Sequence, residues 1–265
     1  GRLSRGYARH ASRIFNLINT HNRTPPKPVN SGLGRVNTPI NPKGYNLMNA
    51  NRQTLYNGPS MLDGTPIKVS ITGLAKSSAN TKTGDMLQTW IMRTDVEPHK
   101  ATDEQKESIC GDCPIKKACY VKLHHAPLSI YRAEGRAAAD ESTAETGTGR
   151  YVRLGSYGDP AAVPVAVWDQ LLEGSTGHTG YTHQWRNRSD LASIVMASTH
   201  TPKDVSDANA LGFRSFRVKS ADEPLLDGEI SCPASKEAGA KTTCERCKLC
   251  AGACVKAPNI AINKH

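Results

Sequence analysis

Acid is missing from the first part of this chain: residues 1–62 hold nine Lys and Arg and no Asp or Glu, and Asp63 is the first carboxylate. Aromatic residues are scarce at 5%, and only 37% of residues are hydrophobic. A chain of 265 residues can bury a core, but this balance is polar for a globular protein and implies that part of it does not form core. No run approaches the ~20 apolar residues of a transmembrane helix, so no membrane partner is expected. No secretory signal is visible. P-loop, G-x-G-x-x-G and Ser-His-Asp spacings are also missing, which removes the best-marked nucleotide-binding and hydrolytic classes.

The formal net charge of +10 is unevenly placed. Of 34 basic residues, nine lie in 1–62, leaving 25 against 24 acidic residues from Asp63 onward. The positive charge therefore belongs to an N-terminal arm, and a basic arm suits a polyanion or an acidic protein surface. Within it, Tyr7, Ala11, Ile14, Phe15 and Ile18 recur at helical spacing, with Arg2, Arg5, Arg9 and Arg13 on another face. From Asn22 to Ser60 the composition turns to Pro, Gly and Asn, too polar to bury a core of its own. The expected partners of residues 1–60 are nucleic acid or neighbouring protein subunits; a solubilising tail is the plainer alternative. An Arg- and Ser-containing, acid-free start also fits an organellar transit peptide, but the bias runs for sixty residues, which favours a binding arm.

The expected organisation is an arm over 1–62 and a metal-binding α/β domain over 63–265. Strands are expected at Ile67–Ile71, Leu87–Ile91, Tyr151–Leu154, Gly180–Gln184, Ile194–Ala197, Phe213–Lys219, Glu229–Ser231 and Asn259–Ile262. Helices are expected at Cys119–Ala139, Val163–Leu172 and Pro202–Leu211. Strands alternating with helices imply a parallel sheet with crossovers. The fold class is α/β, a small or incomplete (β/α) barrel, with a doubly wound open sheet as the alternative.

Eight cysteines fall in two dense groups. Cys244, Cys247, Cys250 and Cys254 read C-x2-C-x2-C-x3-C, the step pattern of bacterial ferredoxin loops, although Val255 stands where those loops carry Pro. Cys110, Cys113 and Cys119 read C-x2-C-x5-C, and Cys232 is a spare thiol in I-S-C-P. The count allows two groups of four, with Cys232 and Cys254 divided between them. Disulfides suit small secreted chains better than this one. Zinc also uses C-x2-C pairs, but the four-cysteine run favours an iron–sulfur (4Fe–4S) cluster over zinc.

In parallel α/β folds, ligands bind at the carboxyl ends of strands. Those ends carry Asp159 in G-S-Y-G-D-P, His183 after Gly180–Thr182, His200 after Ile194–Ala197, and Lys219 with Arg217 at the end of Phe213–Lys219. Asp159 suits a base or orienting group, His183 and His200 acid–base work, and Lys219 a carboxylate or phosphate contact. One mouth lined by all four is expected of an enzyme.

The strings S-A-N-T-K-T-G-D-M-L-Q-T-W-I (78–91), C-G-D-C-P (110–114), A-C-Y-V (118–121), L-G-S-Y-G-D-P (154–160), G-Y-T-H-Q-W (180–185) and S-C-P-A-S-K-E-A-G (231–239), followed by T-T-C-x-x-C-x-x-C, resemble a cysteine-rich family encoded by tailed phages and prophages. The layout is similar to that of the phage "gene product eighty-eight" group. The resemblance covers roughly 60–265 and not the arm. It implies a phage setting in a bacterial cytoplasm or a virion, a metal role for the cysteines, and a pocket role for Asp159 and His183. The layout also resembles radical-SAM-like barrels, but their C-x3-C-x2-C signature is absent, so SAM cleavage is not implied. Two functions are expected to compete. One is a metal-cluster enzyme acting on nucleic acid. The other is a non-catalytic virion or nucleoprotein component, stabilised by zinc or iron–sulfur centres, whose arm docks to subunits or genome.

Overall fold

The computed structural model describes residues 52–75, 80–134 and 145–264. The expected N-terminal helix and most of the arm lie outside these residues.

The architecture is mixed α/β. Among the described residues, ten strands form two five-stranded sheets. The first runs in chain order: β1 (Arg52–Pro59), β2 (Pro66–Thr72), β3 (Leu87–Arg93), β4 (Tyr151–Tyr157) and β5 (Gly177–Thr179). Its first three strands are antiparallel, and β3, β4 and β5 are parallel. The second sheet takes β6 (Tyr181–Thr182), β7 (Met196–Thr199), β8 (Ser215–Lys219), β10 (Asn259–Asn263) and β9 (Glu229–Ser231) in that spatial order, all parallel. Gly180 alone separates β5 from β6, so one run of chain borders both sheets. A Cβ at Gly180 would lie 2.6 Å from Val195 Cγ1, and only glycine allows that approach. The first sheet follows chain order throughout, and in the second β10 lies between β8 and β9. Among the described residues no pairing closes β1 onto β9.

Strands β2 and β3 each turn an apolar face into the core. Ile67, Val69 and Ile71 of β2 and Leu87 and Ile91 of β3 are fully enclosed. Among the described residues, five short α-helices accompany the sheets: α1 (Glu107–Cys110), α2 (Ala126–Glu134), α3 (Val165–Leu172), α4 (Pro202–Ala210) and α5 (Cys244–Cys247). The helix α4 starts on a capping box, Thr201 accepting from Asp204 N while the Asp204 carboxylate accepts from Thr201 N, with Pro202 in the first turn. In α3, Trp168 and Leu171 face the core, and Trp168 Nε1 donates to Pro160 O at 3.0 Å. A main core spans the first sheet, α3 and Trp185. A smaller one gathers Met196, Ile260 and Ile262 with Cys232 and Cys250.

Three expectations are corrected. The helix expected from Cys119 begins at Ala126, because Pro127 fits a first turn and not an interior; residues 135–139 lie outside the described ones. The strand expected at Ile194 begins at Met196, because Ile194 N and Val195 N both close a turn onto Leu191 O. Residues 52–59, assigned to the arm, form edge strand β1 against β2. Leu55 is the one buried residue of this polar strand, and its order comes from pairing rather than apolar content. Among the described residues, no helix is long and apolar enough to cross a membrane.

Candidate metal centres

All eight cysteines are free thiols. Four of them, Cys232, Cys244, Cys247 and Cys250, line one cavity of about 30 Å³, the space open to the centre of a water molecule. Local chemistry explains how they meet. Thr243 caps the one-turn α5, its hydroxyl accepting from Arg246 N at 3.4 Å, and Lys248 ends it in the left-handed region at φ 60°. That reversal turns Cys250 back toward the cavity, where Gly180 N donates to Cys250 O at 3.1 Å. Cys244 N and Glu245 N donate to Lys82 O and Thr83 O, fastening the run to the segment before β3. Cys232 follows β9, and its amide donates to Ala261 O of β10 at 2.8 Å. Arg214 holds the remaining loop by donating to Leu249 O, Gly252 O, Ala257 O and Pro258 O. Cys254 does not line the cavity; its Sγ donates to Ala251 O at 2.8 Å.

Burial pushes the Cys250 thiol up to about 12, against the hydrogen bond that Tyr181 gives it. Burial also raises Cys232 and Cys244, against the pull of Lys82 on both and of Arg153 on Cys244. Two cations thus face a ring of groups that would be anionic as metal ligands. Thr179 also lines the cavity, 2% exposed, and its hydroxyl has no hydrogen-bond partner among the described residues. A buried hydroxyl of this kind calls for an acceptor, and a ligated thiolate or sulfide beside it is one. Among the described residues no three His, Cys, Asp or Glu side chains close on a single ion. Four thiolates around one space are a ligand set that zinc and an iron–sulfur cluster share.

Cys110, Cys113 and Cys119 lie on a second loop. Cys110 ends α1, and Gly111 turns the chain with φ 58° and ψ −143°. A Cβ there would sit 2.3 Å from Gln184 Cδ, so glycine lets the loop close on that side chain. Gln184 Nε2 donates to Cys110 O at 3.3 Å and Asp112 Oδ1 at 2.7 Å. Cys113 Sγ lies 3.9 Å from His183 Nε2. Burial raises Cys113 to about 11, and Cys110 further, with the Asp159 carboxylate and the other two thiols adding to the rise in Cys110.

Of the four strand-end candidates, three come together. Asp159, 6% exposed, accepts from Ala161 N at 2.9 Å and from His183 N at 2.8 Å. Burial lifts its carboxyl to about 6. His183 stacks on His200, ring centroids 5.5 Å apart and planes within 9°. Burial and then His200 lower His183 to about 4, and burial lowers His200. Lys219 stands apart: its ammonium donates to Ser220 O and Glu223 O of its own loop. Arg217 is paired with Glu229. A cavity of about 360 Å³ adjoins the Cys110 loop, lined in part by Asp63, Glu107, Asp112, Gln184 and Arg188.

Three residues that sequence reading passed over join the picture. Arg153 of β4 donates to Tyr120 Oη at 3.0 Å. Burial would lower its guanidinium, but Tyr120, Tyr181 and Cys244 around it hold it raised. Tyr181 packs on Phe216 at 4.6 Å. Their one sequence signal is adjacency: Tyr120 follows Cys119, and Tyr181 precedes His183 by two. No family model matches this chain, and no curated protein or solved structure matches it.

Proposed function

We propose that this protein carries an iron–sulfur cluster on Cys232, Cys244, Cys247 and Cys250. The observation that carries this reading is the shared cavity: thiols from two distant segments surround one space, with an orphaned Thr179 hydroxyl in its wall. A cluster there supplies electron transfer or Lewis-acid iron. The chain's own part is to hold four thiolates, offset their charge with Arg153 and Lys82, and keep water out with Tyr181, Phe216 and Leu249. The strand order supports an incomplete (β/α) barrel, and the phage setting rests on the sequence resemblance.

An enzymatic role on nucleic acid draws support from Asp159, His183 and His200, which meet beside the Cys110 loop. Asp159 positions the His183 backbone, and burial holds the imidazoles of His183 and His200 largely neutral, the form that accepts a proton. The adjoining cavity faces three carboxylates and one guanidinium. That balance suits the hydrogen-bonding edge of a base better than a phosphate, leaving phosphate contacts to the basic arm. The alternative, a non-catalytic component, is favoured by the way the Cys244 run ties the segment before β3 to the end of β9. Metal there would staple parts far apart in sequence.

Anaerobic purification with iron and sulfide analysis and a visible spectrum tests the proposal. Iron and sulfide with a broad visible absorption are expected. Cys232→Ser should lose this cluster and Cys254→Ser should keep it. Zinc as the sole bound metal, or loss of the cluster on Cys254→Ser but not on Cys232→Ser, would overturn the assignment.

A further inference from the structure

Arginines deep in this fold are matched. Arg188 and Arg217 each pair with a carboxylate, and Arg214 donates to four carbonyl oxygens. Arg153 differs. It is half-buried on β4, and its Nη2 donates to a neutral phenol, Tyr120 Oη, at 3.0 Å. The groups that act on its charge are Tyr120, Tyr181 and Cys244, and among the described residues no carboxylate pairs with it. A guanidinium carries five donors and keeps its charge in a protein. Withdrawing it from water without a counter-ion is unfavourable, yet the fold holds it beside the four-cysteine cavity.

The sheet explains its direction. β4 and β5 are parallel neighbours with Arg153 opposite Thr179, so the two side chains project from one face. Thr179 lines the cavity, and its buried hydroxyl has no hydrogen-bond partner among the described residues. Tyr181, two residues on, lines the same cavity and hydrogen-bonds Cys250. One demand here is for a counter-ion and another is for an acceptor. No Asp or Glu lines the cavity. An anionic centre on Cys232, Cys244, Cys247 and Cys250 meets both demands at once.

We propose that Arg153 is the fixed counter-charge of the four-cysteine centre and sets its reduction potential. This rests on reading that cavity as an iron–sulfur site. A cluster on four thiolates is anionic and gains a further negative charge on reduction. A fixed cation nearby therefore stabilises the reduced form more than the oxidised one, and net charge and hydrogen bonds to sulfur are what tune such potentials. Lys82 also acts on Cys232 and Cys244, but it is exposed, and water and salt screen it. Arg153 is a positioning residue: it ligates nothing, and Tyr120, 71% exposed, anchors it from the outer side.

The test is the midpoint potential of the full chain, reconstituted anaerobically with ferrous iron and sulfide and followed by EPR during reductive titration. Arg153→Met should make one-electron reduction about tenfold less favourable, a downward shift of ~59 mV. Arg153→Lys keeps the charge and should recover part of that shift. Tyr120→Phe removes the anchor at an exposed hydroxyl and should lower the potential by less than Arg153→Met. Lys82→Met should also shift it less. A potential unchanged by Arg153→Met, an Arg153→Lys protein as low as the Met variant, or an equal shift in Lys82→Met would overturn the proposal and leave the cluster standing. Should Arg153→Met fail to fold or to take up iron, Tyr120→Phe decides, because it leaves the charge in place and frees only its anchor; an unchanged potential there overturns the proposal. A wild-type protein that takes up no iron overturns the cluster reading, and this proposal with it.

Discussion

Replacing Glu229 with glutamine preserves the side chain's shape and removes its charge. In the native fold Arg217 Nε donates to Oε1 at 2.9 Å and Nη2 to Oε2 at 2.7 Å, with the two side chains 1% and 0% exposed. Burial alone would raise the Glu229 carboxyl, but the Arg217 hydrogen bonds and the Leu226 amide hold it below its usual range. After the substitution the guanidinium keeps Pro224 O at 2.9 Å and a longer contact to Glu223 at 3.3 Å. The Glu223 side chain is 46% exposed, so it compensates little. Breaking a buried pair from one side costs about 3–5 kcal/mol; the retained amide oxygen puts Glu229→Gln near ~3 kcal/mol. Because Glu229 opens β9 and Cys232 follows that strand, bound iron should fall as well. Urea unfolding of anaerobically prepared protein, with iron analysis, measures both. The paired change Arg217→Met/Glu229→Leu removes both charges and should recover most of the loss. A cost below about 1 kcal/mol for Glu229→Gln, or a double variant no more stable than the single, would refute the claim that an uncompensated buried charge governs this edge.

Acid should weaken the fold in part through His178. Its Nε2 meets Ile194 O at 2.7 Å, and burial holds its folded pKa below the ordinary value. The folded state therefore prefers the neutral ring. Stability from this group is complete above the unfolded value of about 6.5, and falls as pH drops from there toward the lower folded value, because the unfolded chain takes up the proton first. The slope of unfolding free energy against pH should flatten in His178→Gln, and an unchanged slope would contradict it. For the arm, deletion of residues 1–51 should remove most nucleic-acid affinity. Residues 1–51 hold eight Lys and Arg, so their share of the slope of log affinity against log salt should be no steeper than about −7, each neutralised phosphate contributing ~0.9. A salt-independent affinity, or one unchanged by the deletion, would assign the arm to protein contacts or to none.

Periodicity and punctuation made much of the body legible. Thr201-Pro202 with Asp204 announced α4, and the β-branched runs of β2 and β3 stood out between turn residues. The strand β1 escaped because its order comes from β2. Cys119–His125 was misread because helical composition outweighed the stop imposed by Pro127. For the candidate centres, spacing identified the two cysteine groups. It could not divide Cys232 from Cys254, because that depends on β9 pairing with β10 and on the left-handed turn at Lys248. Nor could it pair His183 with Cys113. Seventy residues separate them, and only the Asp159 and Gln184 contacts bring them together.

The strands themselves account for the nearness of the two cysteine groups. β4 and β5 pair in parallel, Arg153 opposite Thr179. Thr179 and Tyr181 line the C-terminal cavity, while His183, two residues further, faces the Cys110 loop. Arg153 reaches Tyr120 beside Cys119 on one side and lies in the field of Cys244 on the other. Side chains of a strand alternate faces, so positions 179, 181 and 183 would share one face if the strand stayed straight. β6 ends at Thr182, and the Thr182 hydroxyl accepts from Gln184 N at 2.9 Å. That local turn takes His183 out of the ladder and onto Asp159. A single strand end therefore separates the four-cysteine cavity from the three-cysteine loop, with a guanidinium bridging them.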